Sequence, residues 1–497
     1  MPDGTAARRA RAGAEQARSR STRGWLPQDP RPRYLGPSSG VNFTRSVLSM
    51  ASTLNIVQPK QSPKSDSPAP EHERLLPEVL LDQREPPGVP DKEALFVLFE
   101  KYRASQNVYG ILNLQLFTEC CDLYLSQRPP PAHAELVIRM VLSIAYTALH
   151  QSSRQALFSS LSTQSFDRAI QLYKQVLTTD TYNDWMLIST LMLLEHSLVN
   201  PGNPIVWYLV GIAVGFCARE RYYSAELPLT NLQKRLFWTT YAFDRVVNHT
   251  LGRPSLLDDR YISVGFPEAV QADEVFRNYV FKMRTMQSRA INMTYHQTEQ
   301  YSAVQVSALT LELELWKQNA LRQLQDPQSR NWILYAYHMF KVSIFRPSPA
   351  VPQPSQETLE KCARSTSCSL KVYEAMIRSR TVDSTWISTH WLFVSCITYF
   401  YCVLTLPPLQ QRLSKVDMVL DWNRMCYIFT VMSERWASVE GFLDIIRPFA
   451  EEMTARVLDD GAPFSHSSDF DLNVAGHQYI SQDNLNYEYL LDDIFYE

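Results

Sequence analysis

The sequence predicts an all-α protein, with one large multi-helix domain between a basic N-terminal segment and an acidic C-terminal segment. Apolar residues recur at helical spacing through most of residues 91–458, and Pro-containing segments interrupt them. The 497 residues include only 15 Gly, and hairpin signals such as Asn-Gly are few, which favours helices over sheet. No repeat of fixed period is present, so a solenoid is not predicted.

The two ends of the chain differ from the middle in charge and composition. Residues 1–33 form an Arg-, Ala-, Ser- and Pro-rich head that is predicted to be disordered, and residues 1–35 carry a net charge of +5. Its interpretations are a solvated tail, a phosphate or import-receptor contact, or a mitochondrial presequence. Residues 34–90 are predicted to be a linker that contains the motif YLGPSSG and eight Pro between 58 and 90.

Helical periodicity places a series of helices along the predicted domain. The last region is long enough for more than one helix. The predicted segments are 92–105, 113–126, 134–149, 166–177, 184–199, 204–219, 231–251, 272–299, 301–324, 330–345, 356–379, 385–405 and 418–457.

Residues 231–267 carry the strongest local pattern, an aromatic-rich helix followed by a Gly-Arg-Pro stop and an acidic turn. Thr230 is a suitable N-cap for this helix. Gly252 suits the left-handed position just past a helix end, and Pro254 prevents the helix from continuing. The acidic turn is predicted to cap a following turn or to accept hydrogen bonds from Arg245 or Arg253.

This segment resembles the signature of the fungal-specific transcription factor domain, also called the middle homology region, of the fungal zinc-cluster (Zn2Cys6) regulators. We interpret the matching residues as a structural signature of buried helix and internal salt bridges. The principal members are Arg235, Phe237, Trp238, Asp244, Arg245, Gly252, Arg253, Pro254, Asp258, Asp259 and Pro267, with Lys234, Leu236 and Ile262 also matching.

Four further segments resemble parts of the same family, in the order that the family uses. They are 34–41, 95–117, the helix around Trp207 and Gly211, and the segment from Tyr337 through Arg346-Pro347 to Cys362. One departure is the sequence Arg-Glu-Arg-Tyr at 219–222, where the family usually has Leu-Gly-Leu-His-Arg.

The cysteine pattern predicts no metal site in this chain. A fungal zinc cluster needs six thiolates that begin with C-x2-C-x6-C, whereas the first cysteine here is Cys120 and no C-x2-C pair occurs. Cys362 and Cys368 are interpreted as core thiols, and His338 and His390 as core imidazoles. We therefore expect no cofactor in this chain. The family resemblance implies zinc only for members that carry the cysteine cluster, which is missing here.

Neither catalysis nor membrane insertion is predicted. Residues 36–40, GPSSG, fit the pattern of a nucleophile elbow, but that motif needs a strand before the serine and a helix after it. The most apolar run, 391–406, has 16 residues, fewer than the roughly 20 needed to span a bilayer, and is interpreted as a core helix. The prediction is a protein that is not an enzyme and has no membrane segment.

Residues 459–497 are predicted to be an acidic, aromatic tail with the composition of an activation segment. Acidic side chains keep such a segment hydrated while its aromatic side chains remain available to a partner's groove. The alternative is a final helix over 485–496 that docks on the domain. The residues assigned to the possible activation segment are Tyr487, Tyr489, Leu490, Asp492, Asp493 and Phe495.

The resemblance implies a nuclear transcription regulator that controls a metabolic or secondary-metabolite biosynthetic pathway. Its expected partners are the transcription machinery or coactivators, bound through the acidic tail. Promoter DNA is an expected partner only if a DNA-binding module or a partner protein supplies the contact, and a homodimer is compatible with the sequence. The alternative is an accessory regulatory or effector-binding protein without its own DNA-binding domain.

Overall fold

A computed structural model describes residues 37–40, 43–44, 47–48, 88–105, 108–153, 155–178, 184–200, 206–296, 303–381, 385–405, 413–434, 436 and 439–458. These residues contain fourteen α-helices, and no β-strand occurs among them. The predicted all-α class is confirmed.

The helices are numbered in chain order. They are α1 Lys92–Ser105, α2 Leu114–Ser126, α3 Ala132–Ser153, α4 Ala156–Thr178, α5 Asp184–Val199, α6 Val206–Arg219, α7 Asn231–Leu251, α8 Ala272–Ile291, α9 Ala303–Gln323, α10 Pro327–Phe345, α11 Gln356–Arg378, α12 Trp386–Thr405, α13 Lys415–Ser433 and α14 Glu440–Leu458.

Most predicted boundaries agree with these helices to within a few residues. The largest error is α4, which begins ten residues before its predicted start because a polar run, Ser159 to Gln164, hides the helical period there. The predicted helix 272–299 ends at Ile291 and continues as a π-helical turn, Asn292–His296. Region 418–457 is divided into α13 and α14.

Helix α7 lies at the centre of the domain, and every residue from Arg235 to Leu251 is buried. The Thr230 hydroxyl accepts a hydrogen bond from the Gln233 backbone N–H, and the Gln233 side chain returns one to the Thr230 N–H, which forms a capping box. Gly252 ends the helix with φ of +67°, in the left-handed region. The predicted start and stop are therefore those that the structure uses.

The other helices pack around α7 in layers. α5, α6, α8 and α12 contact it directly, and the hairpin of α3 and α4 packs outside α5. α9 to α11 cover α8 and α12, and α13 and α14 close the far side of α11 and α12.

Among the residues that the structure describes, two helices are long and apolar enough to cross a membrane by length and composition, within 132–151 and 386–405. The predicted 16-residue apolar run therefore belongs to a 20-residue helix, α12, and length does not argue against a membrane span. Burial argues against a membrane span for both helices, because 89% of the apolar window of α12 and 72% of that of α3 lie inside the domain.

Part of the predicted linker is wrong, because residues 37–40 lie inside the helical domain. Pro37–Ser39 form a short 3₁₀ turn against α7, and Ser38 and Ser39 are buried. Phe43 and Leu48 also belong to the core, and the Phe43 ring packs edge-on against Tyr401. The apolar residues at 43, 47 and 48 distinguish this part from the Pro-rich stretch 58–90, of which only residues 88–90 are described.

Candidate functional site

An ion network around Arg245 lies where α7, the acidic turn and α8 meet. The Arg245 side chain is 1% exposed, and its guanidinium contacts Asp244 and donates from Nη2 to Asp259 at 2.7 Å. The same Nη2 donates to the Leu257 carbonyl at 2.7 Å, and Nε donates to Ser288 Oγ at 2.9 Å. One arginine thus joins three segments of the chain.

Asp244 receives hydrogen bonds that hold it inside the domain. The backbone N–H groups of Leu256 and Leu257 donate to its carboxylate at 2.9 and 3.2 Å, and Asn248 Nδ2 donates at 2.7 Å. Burial raises the pKa of Asp244, while Arg245 and these donors act in the opposite direction. Burial lowers the pKa of Arg245, but its acidic neighbours outweigh burial and the net pKa is raised.

Asp259 closes the network from the acidic turn. It accepts hydrogen bonds from the Tyr241 hydroxyl at 2.7 Å and the Ser288 hydroxyl at 2.6 Å, in addition to Arg245. Tyr241 also lies under the guanidinium, with its ring centre 4.0 Å from the Arg245 carbon Cζ. The network is fully cross-connected, as buried ionic groups require.

The remaining polar signature residues make separate contacts. Asp258 caps the 3₁₀ turn Asp259–Tyr261 and pairs with Arg260, while Arg253 lies over the Trp207 ring at 4.8 Å. The prediction that Arg245 reaches the acidic turn therefore agrees with the structure, and the alternative donor, Arg253, stacks elsewhere. Arg235 also lies apart, at the start of α7, where burial lowers its pKa.

The apolar signature residues and the two prolines are structural. Phe237 is fully buried, and Trp238 Nε1 donates to the Gly265 carbonyl at 3.0 Å. Pro254 lies at the surface after the helix stop, whereas Pro267 is buried and its carbonyl accepts from Asn278 at 2.8 Å. These residues fix the path of the chain from α7 to α8.

The turn at 37–40 and the Arg346-Pro347 segment, which are far apart in the sequence, contact each other. Arg346 is 2% exposed, and its Nη2 donates to the Ser38 carbonyl at 3.0 Å. His390 Nε2 lies 2.9 Å from the Ser39 carbonyl. Gly40 has φ of +81°, and a Cβ there would lie 2.8 Å from Arg346 Nη1, so this position requires glycine. The described part of the motif, residues 37–40, is a turn docked on the domain, with Pro37–Ser39 in 3₁₀ conformation.

A cavity of about 210 Å³ lies beside the ion network, bounded by α1, α5, α7, α8, α10, α11 and α12. Its walls are mainly aromatic and apolar. His249 and Ile291 line this cavity and also a more open cleft along the acidic turn. The main apolar wall residues are Phe276, Met283, Trp332, Tyr335, Met339, Phe340, Met376 and Trp391.

Arg284 is the charged residue in the wall of this cavity. It stands four residues before Ser288 on α8, and its Nη1 donates to Gln287 Oε1 at 2.7 Å. It lies deep in the domain yet keeps accessible surface, because it faces the cavity. Burial lowers the pKa of Arg284, and Tyr109 and Tyr335 oppose this effect.

Burial keeps two of the cysteines protonated in this geometry. Burial raises the pKa of Cys121 to about 11 and that of Cys217 to about 12, so both remain thiols at neutral pH. Cys362 is buried as predicted, whereas Cys368 is only half-buried. In the part of the chain that the structure describes, no group of three His, Cys, Asp or Glu side chains is arranged to hold a metal ion.

Sequence reasoning missed the cavity, Arg284 and the anchoring role of Arg346. A signal for Arg284 was present, because it lies on the face of α8 that carries the apolar residues Phe276, Val280 and Ile291. A cation on such a stripe indicates either a buried ion pair or a polar site.

Comparison with known proteins identifies the region that contains these features. Residues 98–311 match the family model described as the fungal specific transcription factor domain. The chain carries a fungal specific transcription factor domain. The family resemblance is therefore confirmed, and the matched residues run from α1 into α9 and include the whole ion network.

Three relatives are similar to this domain at low identity. Pyrimidine pathway regulatory protein 1 of Saccharomyces cerevisiae is 21% identical over 258 residues, which cover 43% of this chain and 28% of the relative. Protein STB5 of the same yeast is 23% identical over 287 residues, 50% of this chain and 38% of the relative. The positive regulator of purine utilization of Emericella nidulans is 20% identical over 331 residues, which cover 46% of this chain and 31% of the relative. The chain thus spans about a third of the length of these relatives.

The residues assigned to the activation segment, Tyr487 to Phe495, lie outside the described part of the chain, as do residues 1–33. Their assignment stays a prediction.

Proposed function

We propose that this chain is a nuclear transcription regulator of the fungal zinc-cluster family type. In this proposal residues 91–458, together with the docked turn, form a regulatory domain, and residues 459–497 recruit coactivators or the transcription machinery. The observation that carries the proposal is the match of residues 98–311 to the fungal specific transcription factor domain. Two similar proteins, named for the pyrimidine pathway and for purine utilization, are regulators by name.

The regulated genes are proposed to belong to a metabolic pathway. Both named relatives concern nitrogen-base metabolism, which supports metabolic control in general. A secondary-metabolite gene cluster is the narrower version of this proposal. Two features of the domain support a regulatory role. The charged signature residue Arg245 makes internal contacts, and a cavity that could hold a small molecule lies beside them.

An accessory regulator that reaches promoters through another protein is the second candidate. The observation that favours it is the spacing of the cysteines, because these 497 residues contain no C-x2-C pair. The genomic sequence upstream of Met1 distinguishes the two candidates. An in-frame exon that encodes C-x2-C-x6-C supports direct DNA binding, and its absence supports the accessory role.

Deleting residues 461–497 is expected to reduce transcriptional activation by the chain. This segment carries seven acidic residues and no Lys or Arg, interleaved with aromatic side chains. The measurement is reporter expression by the full chain, and by the deletion, when each is tethered to a reporter promoter through a heterologous DNA-binding domain. Far-UV circular dichroism checks that the helical domain of the deletion remains folded.

A length-matched variant serves as the control for this deletion. Replacing Tyr487, Tyr489, Leu490 and Phe495 with Ser keeps the acidic charge and removes the apolar anchors, and it should reduce activation as the deletion does. Unchanged activation in both forms, at equal protein level, would show that the tail is not the activating segment.

A further inference from the structure

Arg284 presents a positive charge to the cavity without a carboxylate among the described residues that line it. Its Nη1 donates to Gln287, whereas its Nε contacts no hydrogen-bond acceptor among the described residues. Among the described residues that line the cavity, none is Asp or Glu. A buried guanidinium remains protonated at neutral pH and is costly without a counter-charge. The described wall of the cavity therefore contains the Arg284 guanidinium but no carboxylate to pair with it.

Glu195, a buried carboxyl group near Tyr109, does not provide that anion. Glu195 lies close enough to influence Tyr109, which is next to Arg284 in the cavity wall. Burial raises the pKa of Glu195 to about 8, so this side chain is mostly neutral at pH 7. Tyr109 itself is a neutral phenol at this pH, because burial raises its pKa.

We infer that the cavity binds a small, flat organic carboxylate, whose carboxylate pairs with Arg284 and whose apolar body lies among the aromatic side chains. This inference rests on the proposed regulatory function and names the class of its effector. Arg284 lines the cavity, and the planar fork of a guanidinium matches that of a carboxylate. A phosphate dianion fits less well, because it would need more than the single cation and the few hydroxyl groups that these apolar walls provide.

The size and walls of the cavity limit the body of the ligand. An engineered apolar cavity of roughly 150 Å³ holds benzene. A cavity of about 210 Å³ therefore accommodates one six-membered ring with a carboxylate and little more. Trp332, Tyr335 and Trp391 provide flat faces for such a ring, and Ser329, Ser343 and Ser388 provide polar contacts at the wall.

Trp391 connects this cavity to the docked N-terminal turn. Its ring lies in the cavity wall, and Arg346, which holds Ser38, lies over the same ring at 5.4 Å. Its Nε1 also donates to Thr250 on α7 at 3.0 Å. A ligand that moves the Trp391 ring would therefore disturb the anchor of the segment that enters the domain.

The test is a comparison of acids with their neutral amides as ligands of the purified full chain. Benzoate, benzamide, cyclohexanecarboxylate and cyclohexanecarboxamide are titrated by isothermal calorimetry at pH 7. Each acid is expected to bind about tenfold to a hundredfold more tightly than its amide, the factor typical of a hydrogen bond to a charged group. Arg284→Gln is expected to abolish this preference while amide binding stays within about threefold of the wild type.

Arg289→Gln is the matched control, because Arg289 lies on the same helix and pairs with Glu312 at 2.8 Å, away from the cavity wall. It should keep the preference for acids. Equal binding of acid and amide by the wild-type chain, binding of neither, or an acid preference that survives Arg284→Gln would overturn the inference. Because the wild-type comparison needs no variant and no transcription, these results are independent of the reporter assay and leave the proposed function standing.

Discussion

Replacing Arg245 with Met is expected to lower the free energy of unfolding of the domain by about 3–5 kcal/mol, the cost typical of removing one partner from a buried ion pair. The variant leaves Asp244 fully buried and removes the bonds that Arg245 makes to Asp259 and the Leu257 carbonyl. Met keeps much of the apolar stem, so the effect reports chiefly the lost charge and hydrogen bonds. Urea denaturation followed by far-UV circular dichroism measures the change.

Arg260→Met is the control for this variant, because it removes an arginine from the same turn at the surface. Arg260 is 84% exposed and pairs with Asp258, which is itself accessible to solvent. Exposed pairs of this kind contribute little to stability. If Arg245→Met unfolded at the same urea concentration as Arg260→Met, the buried network would not be the element that holds α7, the acidic turn and α8 together.

Glu195 should make a contribution to the stability of the domain that falls as pH rises from 5 to 8, and Glu195→Gln should remove this contribution. Glu195 is fully buried on α5, and its carboxyl accepts a hydrogen bond from the Tyr102 hydroxyl at 2.8 Å. Burial raises its pKa in the folded protein from 4.5 to about 8. Between these values the folded protein holds a proton that the unfolded chain has released, so rising pH favours unfolding.

The size of this effect follows from the pKa difference. Each pH unit within the window changes the free energy of unfolding by about 1.4 kcal/mol, so the site contributes on the order of 4 kcal/mol between pH 5 and 8. Gln has the same shape, stays neutral and can accept the bond from Tyr102. Glu195→Gln should therefore resemble the wild type at pH 5 and be markedly more stable at pH 8.

Urea denaturation at pH 5, 6, 7 and 8 measures both proteins. Glu312→Gln, at a solvent-accessible pair with Arg289, controls for the general effect of removing one carboxylate. A stability difference between Glu195→Gln and the wild type that stays constant across this range would mean that Glu195 is not held protonated by the fold.

Local features of the site could be predicted from the sequence because they depend on neighbouring residues. Thr230 and Gly252 mark the ends of α7 through capping and left-handed geometry, which operate within a few residues. The contact between Arg245 and Asp259 was also predicted, since only fourteen residues and one chain reversal separate them. Such patterns determine both the helix and its stop.

Contacts between residues far apart in the sequence could not be predicted from local patterns. Arg346 and Ser38 are 308 residues apart, and no local pattern links the two positions. The neighbours of the motif at 36–40 are rich in Pro and Arg, which predicts a linker. In the structure, buried side chains of Arg346 and His390 contact the Ser38 and Ser39 carbonyls. The cavity is formed by the packing of seven helices, and the sequence of one helix alone does not predict it.

The central claim, that this chain regulates transcription, is tested most directly by measuring where the full chain lies in cells and what its removal changes. An epitope-tagged full chain should enrich a discrete set of promoters in crosslinked chromatin, whether it contacts DNA itself or through a partner. Transcripts of those genes should change when its gene is deleted. Absence of promoter enrichment over an untagged strain, together with unchanged transcripts, would contradict the proposed function.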